Sequence, residues 1–161
     1  MFNAANIRNS YHPLYLVEKS CKKLAHYLTE IGAVEHSKSL LKRSVLHDNS
    51  KFTNEEELRS FAEIINDQQS LKDYSKSLSP LSKEYLKLHY KNNSHHPEHF
   101  SSPADMSKLD VMEMVCDWHA RSVQYGTDLL KFVNESHIPR FKFPKWMIPE
   151  ILHYCDVLLR D

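Results

Sequence analysis

Apolar residues recur at helical spacing along almost the whole of this 161-residue chain, and the strict alternation of a half-buried strand is nearly absent. The only glycines are Gly32 and Gly126, too few for a turn-rich sandwich or a glycine-loop nucleotide fold. The pattern predicts an all-α domain over residues 1–161, a bundle of about six or seven helices. A first helix runs over about 13–31, since Pro13 suits a first turn and Gly32 an end. Its apolar stripe is Val17, Cys21, Leu24 and Leu28. A second covers about 37–48, with Leu40, Leu41 and Val45 as its inward face. Thr53 followed by Glu56 reads as a capping box opening a third helix, which carries Leu58, Phe61, Ile64 and Ile65. Residues 67–79 read as a polar loop. Ser79 and Pro80 open a fourth helix to about Tyr90, and residues 92–105, interrupted by Pro97 and Pro103, form a second loop. Further helices are expected over about 107–125 and 127–135. The last opens at Pro144 and brings Trp146, Ile148, Ile151, Leu152, Cys155 and Leu158 to the core.

Charge excludes some functions. The chain has 21 basic and 21 acidic residues, a formal balance of zero, so no whole-molecule grip on nucleic acid or an anionic membrane is indicated. No stretch approaches the roughly 18 apolar residues of a membrane span, and no signal peptide is visible, so a cytoplasmic protein is expected. Cys21, Cys116 and Cys155 are odd in number, far apart and set in apolar helical runs; they read as small buried hydrophobes rather than disulfides or a zinc site. Self-association into a homo-oligomer is compatible with the sequence.

The anomaly is histidine, with 11 in the chain and four of them, His89, His95, His96 and His99, in one short segment. Histidine is the commonest metal ligand and titrates near neutrality. His47 and Asp48, at the end of the second helix, offer an imidazole nitrogen and a carboxylate oxygen. On an ideal helix adjacent side chains diverge by about 100°, yet both can reach one ion at a helix terminus. This mixed donor set suits manganese, iron, zinc or cobalt. Asp117 falls in a helix that is apolar nearly all round, with Leu109, Met112, Val115, Cys116 and Val123 on one side and Met114 and Trp118 on the other. A carboxylate buried there needs a partner, either a metal or Arg121 one turn on. A ligand from the first helix is expected as well: His12, before Pro13, or His26, which lies away from the apolar stripe. Arg121 and Arg140 are candidate substrate clamps, because a planar guanidinium matches phosphate bidentately. Glu98 and His99 are candidate partners for the ligand imidazoles.

The order histidine, His-Asp, further histidines and a distant aspartate resembles the HD superfamily of metal-dependent phosphohydrolases. The resemblance runs through His12, His47 with Asp48, His89, His95 or His96, and Asp117. More closely, the chain is similar to an HD-like family of bacterial and phage proteins. Its marks are a His-Asp-x-Ser-Lys element (His47 to Lys51), a run from His89 through Asn93 to His95–Phe100, and Glu113 to Trp118. The resemblance implies an HD-like bundle around a metal site. His47, Asp48 and Asp117 would hold a first divalent ion with the first-helix histidine. His89 and one of His95 or His96 would hold a second, with Asp48 bridging. It also gives Lys51 the role of neutralising a phosphate. The chain lacks the Gly-Tyr-Pro signature of the cyclic-dinucleotide-cleaving branch.

The expected activity is therefore hydrolysis of a phosphate ester, a nucleotide or other small phosphorylated molecule, with Asp48 and Lys51 as catalytic residues. Two other readings use the same ligands: an iron pair that activates dioxygen, and a non-catalytic module that sequesters a nucleotide.

Overall fold

Helix α6 (Lys108–Tyr125) is the axis of the fold. A reciprocal capping box starts it: Ser107 Oγ accepts from the Asp110 amide at 3.2 Å, and Asp110 Oδ2 accepts from the Ser107 amide at 2.9 Å. Gly126 ends it in the left-handed conformation, at φ 63°, which a glycine adopts without a Cβ clash. Between these caps its residues are buried on nearly every face, as its apolar composition predicts.

The structure is a computed structural model that describes residues 14–66 and 80–160, with the side chains of 64–66 and of Leu81 outside that description. Around α6 pack α1 (Leu14–Glu30), α2 (Val34–Leu46) and α9 (Ile148–Leu159). Two further helices, α4 (Glu55–Asn66) and α5 (Pro80–Asn92), pair with each other, and the single turn α3 (Ser50–Thr53) links α2 to α4. Pro97–His99 and Pro103–Asp105 form 3-10 turns. After α6 come α7 (Leu129–Phe132), a π-helical turn (Val133–His137) and α8 (Ile138–Phe141). Among the described residues there is no strand, and no helix is long and apolar enough to cross a membrane. The all-α bundle expected from the sequence is what the chain forms.

The main core joins Val17, Cys21, Leu24 and Leu28 of α1 to α6 and to Ile151, Tyr154, Cys155 and Leu158 of α9. All three cysteines are buried and free. A separate small core stacks Phe61 of α4 on Tyr85 of α5, ring centroids 5.3 Å apart, with Phe52 and Leu86 against them.

Several expected details differ. Leu40 is buried, but Leu41 and Val45 face solvent, because α2 turns Ser37 and Ser44 inward with Leu40. Ser37 Oγ donates to the Ala25 carbonyl at 2.8 Å and accepts from Thr29 Oγ1 at 2.9 Å, so a small polar face brings α2 close to α1. The Thr53–Glu56 capping box does not form. Asn54 caps α4 instead, its Oδ1 accepting from the Glu57 amide at 3.0 Å, while Thr53 Oγ1 turns back to the Asn49 carbonyl. Val123 and Trp146 are exposed rather than core, since α6 outruns its neighbours at its last turn and α9 starts only after Trp146. The side chains of Ile64 and Ile65, the 67–79 loop and His12 lie outside the described residues.

Truncating Leu40 to alanine is expected to lower stability by about 2–5 kcal/mol. Val45→Ser, on the same helix, should change it by less than about 0.5 kcal/mol. Urea denaturation of both variants checks which face of α2 is inward.

Candidate metal centre

The site begins where α2 stops. The helix ends at Leu46, His47 adopts extended backbone (φ −52°, ψ 128°), and Asp48 is left-handed at φ 54°. That conformation costs most non-glycine residues roughly 1–2 kcal/mol, and aspartate tolerates it better than a branched side chain does. The break cancels the helical divergence of neighbouring side chains and turns both inward, with His47 Nε2 3.6 Å from Asp48 Oδ2. The next turn, α3, brings buried Lys51 to the same carboxylate, Nζ 2.5 Å from Oδ2.

The histidine-rich segment arrives from the other side. His89, in the last turn of α5, stacks on Tyr85 one turn earlier (centroids 5.6 Å apart, 13° between planes). Its Nε2 lies 3.4 Å from Asp48 Oδ1. Asn93 folds back to donate to the His89 carbonyl and to Ser50 Oγ, and so fixes the turn that leads to His95. His95 Nε2 also stands 3.4 Å from Asp48 Oδ1, and His96 Nε2 is 3.0 Å from His89 Nε2. Pro97 opens a 3-10 turn directly after His96, and His99 Nδ1 donates to the Tyr90 carbonyl at 2.9 Å, which ties the segment to α5. From α6, Asp117 Oδ1 comes within 3.8 Å of His47 Nε2.

The result is two adjoining sets of potential ligands. Asp48, His89, His95 and His96 form one, and His47, His95 and Asp117 the other; within each set the donor atoms lie within 4.8 Å of one another. Asp48 Oδ1 and His95 Nε2 are fully buried and have no hydrogen-bond partner. A buried polar atom without a partner is costly unless something absent from the chain satisfies it. Nitrogen and oxygen donors at this spacing fit a divalent transition metal.

Electrostatics point the same way. Burial lowers the His47 imidazole, but Asp48, the hydrogen bond His47 donates to Glu113, and Asp117 outweigh it and hold its pKa up at about 9. Burial would raise the Asp48 carboxyl, yet His47, Lys51, His89 and His95 keep it well below the usual carboxylate range. Burial and neighbouring imidazoles push His95 far down and His96 to about 3, leaving both neutral and free to ligate.

Behind the imidazoles stand carboxylates. Glu57 Oε1 accepts from His89 Nδ1 at 2.7 Å, and Glu113 Oε1 accepts from His47 Nδ1 at 2.9 Å. Arg43 holds Glu113 and Asp110 together, Nε to Glu113 Oε2 at 2.5 Å and Nη2 to Asp110 Oδ1 at 2.6 Å. A cavity of ≈ 230 Å³ beside the site is lined by Arg43, Asp48, Ser94, His95 and Glu113 among others.

Of the residues expected from the sequence, His47, Asp48, Lys51, His89, His95, His96 and Asp117 come together. Arg121 sits at the rim, half exposed, Nε 3.7 Å from Asp117 Oδ1. Arg140 does not join them: it is exposed, pairs with Glu98 at 2.9 Å and lies over the Phe141 ring. Glu98 and His99 therefore do not back the ligand imidazoles, and Glu57 and Glu113 occupy that place. His26 is on the surface beside Glu30, and His12 lies outside the described residues. Sequence reading passed over Glu57 and Arg43. Both had a signal: each is four residues before an inward residue of its own helix or helix end, Phe61 and His47.

The profile of a family described only as of unknown function, DUF5662, matches residues 7–147. No curated protein and no solved structure gives a match.

Metal uptake must expel the His47 proton, because a protonated imidazole has no lone pair to give. The apparent affinity for a divalent ion is expected to rise about tenfold per pH unit across the neutral range and to level off at about 9. Calorimetric titration with zinc in several buffers measures this. A flat profile would show that His47 carries no proton to expel across this range.

Proposed function

The chain belongs to the DUF5662 family, and for this member we propose a metal-dependent phosphohydrolase acting on a small phosphate ester, nucleotides included. The observation that carries the reading is the pair of adjoining ligand sets that share His95, with Asp48 between His47 on one side and His89 on the other. The motif order shared with the HD superfamily supports it. His47, His95 and Asp117 would hold one divalent ion and Asp48, His89 and His96 a second. Such ions supply Lewis acidity toward a phosphoryl oxygen and an attacking water.

The chain's own residues have separable tasks. Asp48 is kept ionised and fixed by Lys51, so the carboxylate is in place before any substrate arrives. Lys51, buried at that position, adds a positive charge for a phosphate oxygen. Arg121 stands half exposed at the rim beside Asp117, where a guanidinium can meet the outer phosphate oxygens in a forked pair of hydrogen bonds. The adjacent cavity of ≈ 230 Å³ lies below the ~300–1,000 Å³ of drug-sized ligand pockets, which favours a small substrate. The imidazole-rich donor set also suits an iron pair that activates dioxygen. Metal identity separates the two readings.

Elemental analysis of the purified protein should find two transition-metal ions per chain, lost in Asp48→Ala and retained in His26→Ala. A panel of nucleotides and small phosphate esters should then release inorganic phosphate. Lys51→Ala should keep the metal and lose turnover by about 10²–10³-fold, the scale of removing one electrostatic contact to a transition state. Iron with a visible spectrum and no phosphate release favours the oxygenase. Tight nucleotide binding without turnover favours sequestration. Absence of metal after supplementation with manganese, zinc and iron defeats the enzyme reading.

A further inference from the structure

The carboxylates behind the imidazoles are not equivalent. Glu57 is fully buried and serves one ligand: its Oε1 accepts from His89 Nδ1, and its Oε2 accepts from Asn92 Nδ2 at 2.9 Å. Both partners belong to α5, so Glu57 binds α4 to the end of that helix, with Ser50 of α3 as a further hydrogen-bond partner. Glu113 serves two ligands. Its Oε1 is 2.9 Å from His47 Nδ1 and 3.4 Å from His95 Nδ1, and its Oε2 receives the Arg43 guanidinium. Arg43 continues to Ser94 Oγ at 3.0 Å and Asp110 Oδ1 at 2.6 Å, and Ser94 Oγ itself donates to Asp110. Because Ser94 precedes His95 in the chain, this clamp fixes the backbone that carries His95.

A neutral imidazole whose Nδ1–H donates to a carboxylate has its tautomer decided. Nε2 then carries the lone pair, and the negative charge behind it makes that lone pair a better donor. In His47 and His89 the freed Nε2 is the atom that faces Asp48, and His95 turns its own Nε2 to the same carboxylate.

We propose that Glu57 and Glu113 are positioning residues that divide the centre: Glu57 governs the ion at His89, and Glu113 governs the ion held by His47, His95 and Asp117. The division rests on the metal reading above and adds to it a separate supporting carboxylate for each position. A neutral imidazole has one lone pair at Nε2, so His95 gives it to one ion, and Glu113 stands behind two of that ion's three ligands. His89 belongs to one set, so a change there reaches one. Glutamine is the informative replacement, since it keeps the shape and an accepting oxygen while removing the charge.

The test is a titration of metal-free protein with cobalt(II) chloride, followed by the d–d absorption of each equivalent. The wild type should take two equivalents with distinguishable spectra. Glu57→Gln should leave the first equivalent unchanged in affinity and spectrum and weaken the second by about 10–100-fold. Glu113→Gln should weaken the first by a similar factor and alter its spectrum while leaving the second unchanged, with circular dichroism confirming the fold. Should Glu113→Gln fail to fold, the selective loss in Glu57→Gln still decides. Two normal equivalents in Glu57→Gln, or equal weakening of both, would overturn the division, as would a wild type that binds one ion only. A wild type that binds no cobalt defeats the metal reading itself, which is a separate outcome.

Discussion

Five carboxylates, Asp48, Glu57, Asp110, Glu113 and Asp117, are buried within one helical protein, none more than 5% exposed. Each would be expensive in that setting without a compensating partner. The arrangement of α2, α3, α5 and α6 follows from supplying those partners. Arg43 of α2 takes two of the five, Lys51 of α3 takes a third, and His89 of α5 takes the fourth. Asp117 faces His47, with Arg121 at the rim. The polar interior is thus a set of mutual obligations between helices, and it converges on Asp48.

Asp48 also shows how backbone and chemistry are joined here. Its left-handed conformation is what lets two consecutive residues aim at one point, which an unbroken helix forbids. Strain of this kind persists where surrounding contacts hold it, and here Lys51 and the imidazoles do so. The neutral state of His95 and His96 is the other half of the arrangement, since a protonated imidazole cannot donate a lone pair.

Much of the fold was legible because α1 and α6 write their burial in residue type: a four-residue apolar stripe in one, apolar residues all round in the other. The helix that packs through Ser37 and Ser44 was misjudged, since close approach there depends on small size and a hydroxyl partner rather than on apolar volume. The cluster of potential ligands was legible because histidine and aspartate have few other reasons to crowd together. Its supporting residues were less so. Glu57 follows Glu55 and Glu56 and looks like a solvated helix start, and Arg43 sits beside Lys42 like a surface basic pair. In both, spacing marks the inward turn but carries no trace of the distant partner that meets the charge. Arg140 shows the reverse: a guanidinium read as a substrate clamp is held on the surface by Glu98.

The two hydrophobic cores bear on how the molecule is held together. α4 and α5 pack on each other around Phe61 and Tyr85, and broad contact with the α1–α2–α6–α9 bundle is absent among the described residues. Polar contacts span the gap: His89 reaches Asp48, Asn93 reaches Ser50, and Arg43 and Asp110 hold Ser94 just beyond α5. The polar centre is therefore a seam between two separately greasy bodies, closed by charge and hydrogen bonds where neither core reaches. A substitution that removes one of those bonds loosens the joint between the bodies rather than the packing inside either.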